Sequence, residues 1–280
     1  MAEELGVVHL VRAHNGLQPF ANFLDAYTRT PGGVPHDLLI VFKGFSGDAE
    51  LEPYRSRLKS IAHKELRVSD LGLDLRAYSV ACRHFDHSYL CFLNSYCVPL
   101  DENWLAKMFA AVRQPQVGAA GATGSWESMY TNSLRAPVGA PMPLPRRITP
   151  ALRSRLNRCL FLPFPNYHLR TNAFIISRKL MLEVWPRYTV NKSAAYLFEN
   201  GRNSFTRRLL RRGLKPLIVG RDGQDYEKEQ WARSNTFRQS SQENLLVADN
   251  QTRNYTAADF VTRQYLSGLA WGADARPARP

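Results

Sequence analysis

Short apolar runs alternate with segments of helical periodicity through the first half of the chain. Five runs rich in aliphatic residues predict strands at residues 7–11, 37–42, 65–68, 88–93 and 117–122. Between them, apolar positions recur at helical spacing and predict helices at residues 19–27, 51–61, 75–83 and 104–112. This alternation is typical of a mostly parallel sheet with helices on both faces. Ligands bind beyond the carboxyl ends of such strands, so the polar residues that follow each strand are site candidates.

The second half of the chain has a different character. Residues 128–182 contain nine Lys or Arg and no acidic residue, and seven of the 17 prolines fall between residues 137 and 165. We therefore predict an insert at 135–165, irregular over 135–148, followed by a basic amphipathic helix with Thr149 as N-cap and Pro150 in the first turn. That helix could dock on an anionic membrane or pack on its own domain with a solvated arginine face.

Regular structure resumes after the insert. A strand is predicted at 170–176, helices at 179–184 and 204–212, and a further strand at 217–219. The polar segment 220–275 is interpreted either as an acceptor-recognition extension or as a wrap that stabilises the domain. We predict a single domain over 1–275 and a frayed tail at 276–280.

Composition limits the classes of partner that the protein is expected to bind. The chain of 280 residues is 44% hydrophobic, which suits one large globular domain, and its net charge of +13 favours anionic partners. Nucleic acid is not expected, because no zinc finger, KH-type loop or RRM motif is present. The sequence shows no basic segment followed by an apolar leader and no apolar run of about 18 residues, so a cytoplasmic protein is expected. The four cysteines lack zinc spacing and are interpreted as buried thiols, with a Cys91–Cys97 disulfide as the alternative.

Four stretches carry a family resemblance, and they occur in this order: DLGLDLRAY (70–78), YLCFLNSYCVPLDENWL (89–105), FPNYHLRTNAFIISRKLML (164–182) and FENGRNSFTRRLLRRGLKPLIVG (198–220). The ordered set resembles the nucleotide-sugar glycosyltransferases of the GT-A fold, especially the family-2-like inverting group, over residues 5–220. The resemblance implies an α/β, GT-A-like, Rossmann-like sandwich with a mostly parallel central sheet. It also implies sugar transfer from a nucleotide-diphosphate donor to a glycan or lipid-linked saccharide. Such an enzyme would serve polysaccharide biosynthesis for the cell envelope, at the inner membrane face.

Two departures from the family pattern matter for chemistry. The two carboxylates of the family's DxD metal turn fall on Asn94 and Tyr96, which are poor ligands for a hard cation. No tightly bound metal is therefore expected, with weakly held Mg²⁺ or Mn²⁺ as the alternative. In the family's ED motif only Glu199 is acidic, since Asn200 occupies the usual base position, and Glu199 becomes the candidate catalytic base.

If no metal neutralises the leaving diphosphate, arginine is the natural substitute, because its planar fork pairs with phosphate oxygens. Arg170 and Arg202 are the candidate diphosphate ligands, together with Arg76. The candidate nucleotide-sugar contacts are Arg12, Asp70, Arg76, Asn94 and Ser95, and the candidate acceptor contacts are His168, Trp231 and Asp249. The competing interpretation is a glycan- or partner-binding module that kept the scaffold and lost the chemistry.

Overall fold

Eight strands form the central sheet of the computed structural model, which describes residues 4–135, 150–186 and 192–272. They lie in the order β3-β2-β1-β4-β9-β6-β10-β11. Their bounds are Leu5–Arg12 (β1), Asp37–Lys43 (β2), Lys64–Val68 (β3), Tyr89–Leu93 (β4), Val117–Gly121 (β6), Ala173–Ser177 (β9), Lys215–Val219 (β10) and Asp225–Tyr226 (β11). Two small antiparallel sheets pair Val98–Pro99 (β5) with Val247–Ala248 (β12), and Gly124–Ser125 (β7) with His168–Leu169 (β8).

Two strands depart from the mostly parallel sheet: the short edge strand β11, which pairs antiparallel with β10, and the interior strand β9. Strand β9 runs antiparallel to both neighbours, β4 and β6, whereas β1 pairs in parallel with β2 and β4, and β6 with β10. The carboxyl ends of β1 and β4 therefore meet the amino end of β9 at one edge of the sheet. Residues from all three strand ends can share one site there.

Helices cover both faces of the sheet. They span Gln18–Arg29 (α1), Asp48–Leu58 (α2), Asp74–His84 (α3), Trp104–Val112 (α4), Met129–Arg135 (α5), Pro150–Leu160 (α6), Arg178–Val184 (α7), Lys192–Asn200 (α8), Phe205–Leu210 (α9), Asn250–Ala257 (α10) and Phe260–Trp271 (α11). Alternate residues of β1 enter two separate cores: Val7 packs with Phe23 of α1 on one face, and Val8 packs with Tyr78 of α3 on the other. Burial on both faces explains why the strands read as continuous apolar runs.

The predicted α/β class with a mostly parallel sheet is confirmed. The strand expected at 170–176 begins only at Ala173, because residues 171–172 form a turn at the site edge. Cys91 and Cys97 are both buried and free, so the disulfide alternative is wrong.

Three predictions fall on residues 136–149 and 273–280, which lie outside the described residues. They are the Thr149 cap, nearly all of the irregular 135–148 stretch, and the tail. No helix within the described ranges combines the length and hydropathy needed to cross a bilayer.

One buried histidine makes the stability of the fold sensitive to acid. His9 lies within β1, stacked 3.6 Å from the Phe23 ring, and burial lowers its pKa to about 3. The unfolded chain takes up a proton at this residue below about pH 6.5 and the folded chain does not, so stability falls as the pH drops below that value. Between pH 7 and pH 5 this effect should lower the free energy of unfolding by about 2 kcal/mol. We expect His9→Leu to abolish that part of the decrease, measured by urea unfolding at both pH values. The exposed His14, changed to Gln, is the control and should leave the loss in place. An unchanged loss in His9→Leu would contradict this origin.

Candidate functional site

A cavity of about 340 Å³ opens at the carboxyl edge of the sheet. Its walls come from the end of β1, the start of α3, the turn after β4, the turn before β9, the end of α8 and the start of α10. The polar residues that line it are Arg12, Asp74, Asn94, Ser125, Glu127, His168, Arg170, Thr171, Asn172, Tyr196, Glu199, Asn200, Asp249, Asn250 and Gln251. The position follows from the topology, since β1 and β4 are adjacent parallel strands that end at this edge.

Arg12 projects from the end of β1 between two carboxylates. Its guanidinium lies 3.6 Å from Asp70 and 3.8 Å from Asp74, both longer than a normal hydrogen bond. Asp70 instead accepts a 2.8 Å bond from the buried Lys43 amine, which holds the pKa of Asp70 below its usual value. Burial raises the pKa of Asp74, with the charges of Arg12 and Lys43 opposing the rise. Arg12 is therefore a loosely held cation at the cavity wall.

The turn after β4 is organised by Asn94. Its Oδ1 accepts bonds from the Tyr96 amide at 2.9 Å and the Cys97 thiol at 3.3 Å, the arrangement of an Asx turn. The Asn94 amide donates to the Asn172 carbonyl at 2.8 Å, which fixes the turn against the segment before β9. Asn94 lines the cavity, whereas Ser95 is buried in a small hollow beside His9.

This turn does not fit a tightly held divalent cation. The Asn94 oxygen that would replace a carboxylate ligand is already used within the turn. No group of three or more His, Cys, Asp or Glu that could hold a metal occurs in the part of the chain that the structure describes.

Glu199 brings a carboxylate into the cavity from the end of α8. One of its oxygens, Oε1, accepts a hydrogen bond from the Thr171 hydroxyl. Burial raises the pKa of Glu199 above its ordinary value; the Thr171 bond and the Arg170 charge oppose the rise, and the charge of Asp74 adds to it. A carboxylate held in this way is a stronger base than one in water.

Arg170 is the most rigidly held cation of the site. Its guanidinium donates to Asp249 at 2.7 Å and to Thr123 at 3.2 Å, and its centre lies 4.2 Å from the Phe237 ring centroid. Asp249 is buried and also caps α10 by accepting a bond from the Thr252 amide. Burial alone would raise the pKa of Asp249, but the Arg170 charge and the Thr252 bonds outweigh it and lower the pKa. The ion pair ties the cavity wall to the start of α10.

His168 lines the cavity as a neutral imidazole. Burial lowers its pKa to about 4, and its Nδ1 donates to the Asn166 carbonyl at 2.8 Å. That bond leaves Nε2 as the acceptor of the ring.

The structure brings together six of the eleven residues predicted from the sequence: Arg12, Asn94, His168, Arg170, Glu199 and Asp249. Asp70 lies beside the cavity, bound to Lys43. Ser95, Arg76, Arg202 and Trp231 do not line it. Trp231 is fully buried in the core and donates to the Tyr226 carbonyl, while Arg202 is exposed and donates to the Arg158 carbonyl. The predicted cluster of Arg76, Arg170 and Arg202 is therefore not formed, and only Arg170 reaches the cavity.

Several residues that line the cavity were not predicted from the sequence. Asp74 belongs to the DLGLDLRAY stretch, but the contacts predicted from that stretch were Asp70 and Arg76. Glu127 had a usable signal, because it is the only acidic residue between positions 103 and 182. Glu127 accepts a bond from Asn132 at 3.1 Å and lies 3.5 Å from Arg238. Thr171 and Tyr196 carried no sequence signal that we can identify.

No family model matches the chain, and no curated protein matches it. Among solved structures, it is similar to the mannosyltransferase PcManGT from Pyrobaculum calidifontis, solved with GDP-Man and Mn²⁺ (12% identity, TM-score 0.48, 78% of this chain and 55% of that one). It is also similar to GalNAc-T7, solved with UDP, GalNAc and Mn²⁺ (16%, 0.42, 64% and 36%). A third similar structure is the 4-diphosphocytidyl-2C-methyl-D-erythritol synthase of Anaerococcus prevotii (11%, 0.40, 70% and 83%). The chain thus spans about half or less of the first two proteins. These likenesses are distant, and the α/β class rests on the eight-stranded sheet itself.

Proposed function

We propose that the chain is a glycosyltransferase that moves a sugar from a nucleotide-diphosphate donor to an acceptor hydroxyl in this cavity. The observation that carries the proposal is the Glu199 carboxylate, which is half-buried at the cavity wall, has a pKa raised by desolvation and is oriented by Thr171. Sugar transfer needs a base within hydrogen-bond reach of the acceptor hydroxyl, and Glu199 is placed to be that base.

The cavity supports a ligand of this class. Its volume of about 340 Å³ lies within the usual range of about 300–1,000 Å³ for small-molecule sites. Its walls are rich in amide and carboxylate groups, which suit sugar hydroxyls. The donor nucleotide would extend along the carboxyl edge towards Asp70, as ligands do in open α/β sheets.

The chemical step follows from these positions. The acceptor hydroxyl gives its proton to Glu199 while its oxygen forms a bond to the anomeric carbon of the donor sugar. The bond from that carbon to the phosphate oxygen breaks, and its electron pair leaves with the nucleoside diphosphate. A protonated Glu199 and a charged diphosphate are the immediate products.

Arginine would stabilise the charge that develops on the diphosphate. Arg12 is suited to this role because its two carboxylate contacts are long, so the guanidinium can turn towards phosphate oxygens. Arg170 is held by Asp249 and Thr123, and it contributes a fixed positive charge in the same cavity. The acceptor, a glycan or a lipid-linked saccharide, would approach past His168 and the start of α10.

Binding and transfer separate this proposal from its competitor. We expect one sugar nucleotide from a panel of UDP-, GDP- and dTDP-sugars to raise the melting temperature, because it binds only the folded protein. The same donor should be consumed when acceptor saccharides are added, and EDTA should change the rate little, because the Asn94 turn offers poor metal ligands. Saturable donor binding without any transfer would favour a binding module. Absence of both would overturn the proposal, and activity abolished by EDTA and restored by Mn²⁺ would overturn its metal-free form.

A further inference from the structure

The region around α9 is strongly basic and has no acidic residue of its own. Residues 200–220 contain six Lys or Arg and no Asp or Glu. Helix α9 buries Phe205 and Leu209 against the core, so its arginines lie on the outer side. We define the α9 basic surface as the exposed Arg158, Arg202, Arg211 and Arg212 with the half-buried Arg207 and Arg208.

These guanidiniums bond to carbonyl and amide oxygens rather than to carboxylates. Arg202 donates to the Arg158 carbonyl, and Arg211 donates to the Arg202 carbonyl and to Asn203 Oδ1. Arg208 donates to the Val184 carbonyl of α7. Within the described ranges no ion pair involves any of the six, in contrast to Arg170, Arg178 and Arg238 nearby. Their positive charge is therefore not neutralised within the described part of the chain.

The arginines also repel one another. The pKa of Arg207 is lowered by burial and then by the charge of Arg211, and that of Arg208 is lowered by burial and by Arg212 and Arg211. An anionic partner would relieve this repulsion, so charge complementarity points to a polyanion.

The neighbouring side chains favour a lipid surface over nucleic acid. Helix α7 packs beside α9 and exposes Lys179, Leu182 (39% exposed) and one carboxylate, Glu183. A basic surface with an adjoining aliphatic side chain suits anionic headgroups above an apolar layer. Single-stranded nucleic acid is usually bound through stacking aromatics, and neither α7 nor α9 exposes one, since Phe205 is fully buried.

We propose that the α9 basic surface docks the protein on an anionic phospholipid bilayer. The surface begins close to the cavity wall along the chain: Glu199 and Asn200 line the cavity, and Arg202, the first arginine of α9's own segment, follows two residues later. Docking there would present the cavity to an acceptor anchored in the same membrane. That last consequence rests on the proposed transferase function, whereas the docking itself does not.

Vesicle sedimentation tests the docking with the full chain and no substrate. We expect binding to vesicles of phosphatidylcholine mixed with phosphatidylglycerol, little binding to phosphatidylcholine alone, and loss of binding at high salt. Each basic residue near such a surface contributes about 1 kcal/mol to the free energy of membrane binding. Arg211→Gln combined with Arg212→Gln should therefore weaken binding about thirtyfold. Arg211→Lys with Arg212→Lys keeps the charge and should bind almost normally even if the lost guanidinium bonds lower the melting temperature.

The matched control removes two charges at the far end of the sheet. Arg57→Gln with Lys59→Gln changes exposed residues at the end of α2, which packs near β2 and β3, and should retain binding. Equal weakening by both glutamine pairs would show an effect of net charge and overturn the proposal. Equal binding to both vesicle types, or tighter binding to RNA or single-stranded DNA through the same arginines, would also overturn it. A protein that binds vesicles but no sugar nucleotide would refute only the proposed function, and the reverse result would refute only the docking.

Discussion

Glu199→Gln is expected to lower the rate of sugar transfer by about 10²- to 10⁴-fold, the usual contribution of a positioned general base. The amide keeps the size of the side chain and can still accept the Thr171 hydrogen bond, but it cannot take the acceptor proton. Donor affinity should change little, because the donor's charged groups are assigned to Arg12 and Arg170. Steady-state kinetics combined with donor binding by thermal shift would show a fall in kcat without a matching loss of binding.

The pH dependence gives an independent check on this role. Glu199 must be ionised to act as a base, and burial raises its pKa, so kcat should fall as the pH drops through a value above the ordinary carboxyl range. Thr171→Val removes a bond that lowers this pKa and should move the acidic limb to higher pH. Glu183→Gln, which changes an exposed carboxylate on α7, is the control and should leave rate and profile unchanged. A Glu199→Gln enzyme with normal turnover would remove Glu199 from the mechanism.

The fold could be predicted from the sequence because its signals are local. Strands buried on both faces give apolar runs, and the helices between them give helical periodicity, so β1 to α4 were found near their observed positions. The direction of β9 could not be predicted, because an apolar run does not record which neighbours it pairs with. Its later start, at Ala173, follows from the turn that places Arg170 and Thr171 in the cavity.

The site was predicted less completely, because side-chain direction depends on structure beyond the strand ends. Asp74 and Arg76 both lie in the first turn of α3, but residues two apart on a helix point to different sides. With Asp74 at the cavity, Arg76 is directed away from it. Arg202 lies beyond the end of α8 in a turn at residues 202–203, where its backbone amide bonds to the Leu160 carbonyl and its side chain is exposed. From the sequence alone, Arg76 and Arg202 were as plausible as site residues as Asp74 and Glu199. The angular position of Arg76 on α3 and the turn after α8 keep the two arginines out of the cavity.

The buried ion pair between Arg170 and Asp249 should carry the largest single contribution to stability at the site. Asp249→Asn can still accept the capping bond from Thr252, but it leaves the Arg170 guanidinium buried without its counter-charge. Breaking one partner of such a pair typically costs about 3–5 kcal/mol, and we expect a loss of about 3 kcal/mol by urea unfolding at neutral pH. Because Asp249 has a lowered pKa, its contribution is present above the ordinary carboxyl pKa and is lost as the pH falls through the lowered one. The difference between the two proteins should therefore shrink in acid.

Two comparisons make this prediction specific to the pair. Asp259→Asn changes a second aspartate that caps a helix through a threonine amide, but this residue is exposed, so little change is expected. Arg170→Gln combined with Asp249→Asn removes both charges and should cost less than the sum of the single changes, because neither charge is then left unpaired. Strictly additive losses, or equal losses for Asp249→Asn and Asp259→Asn, would show that the pair does not stabilise the fold. In that case Arg170 would be free to act as a diphosphate ligand rather than as the anchor that ties α10 to the cavity wall.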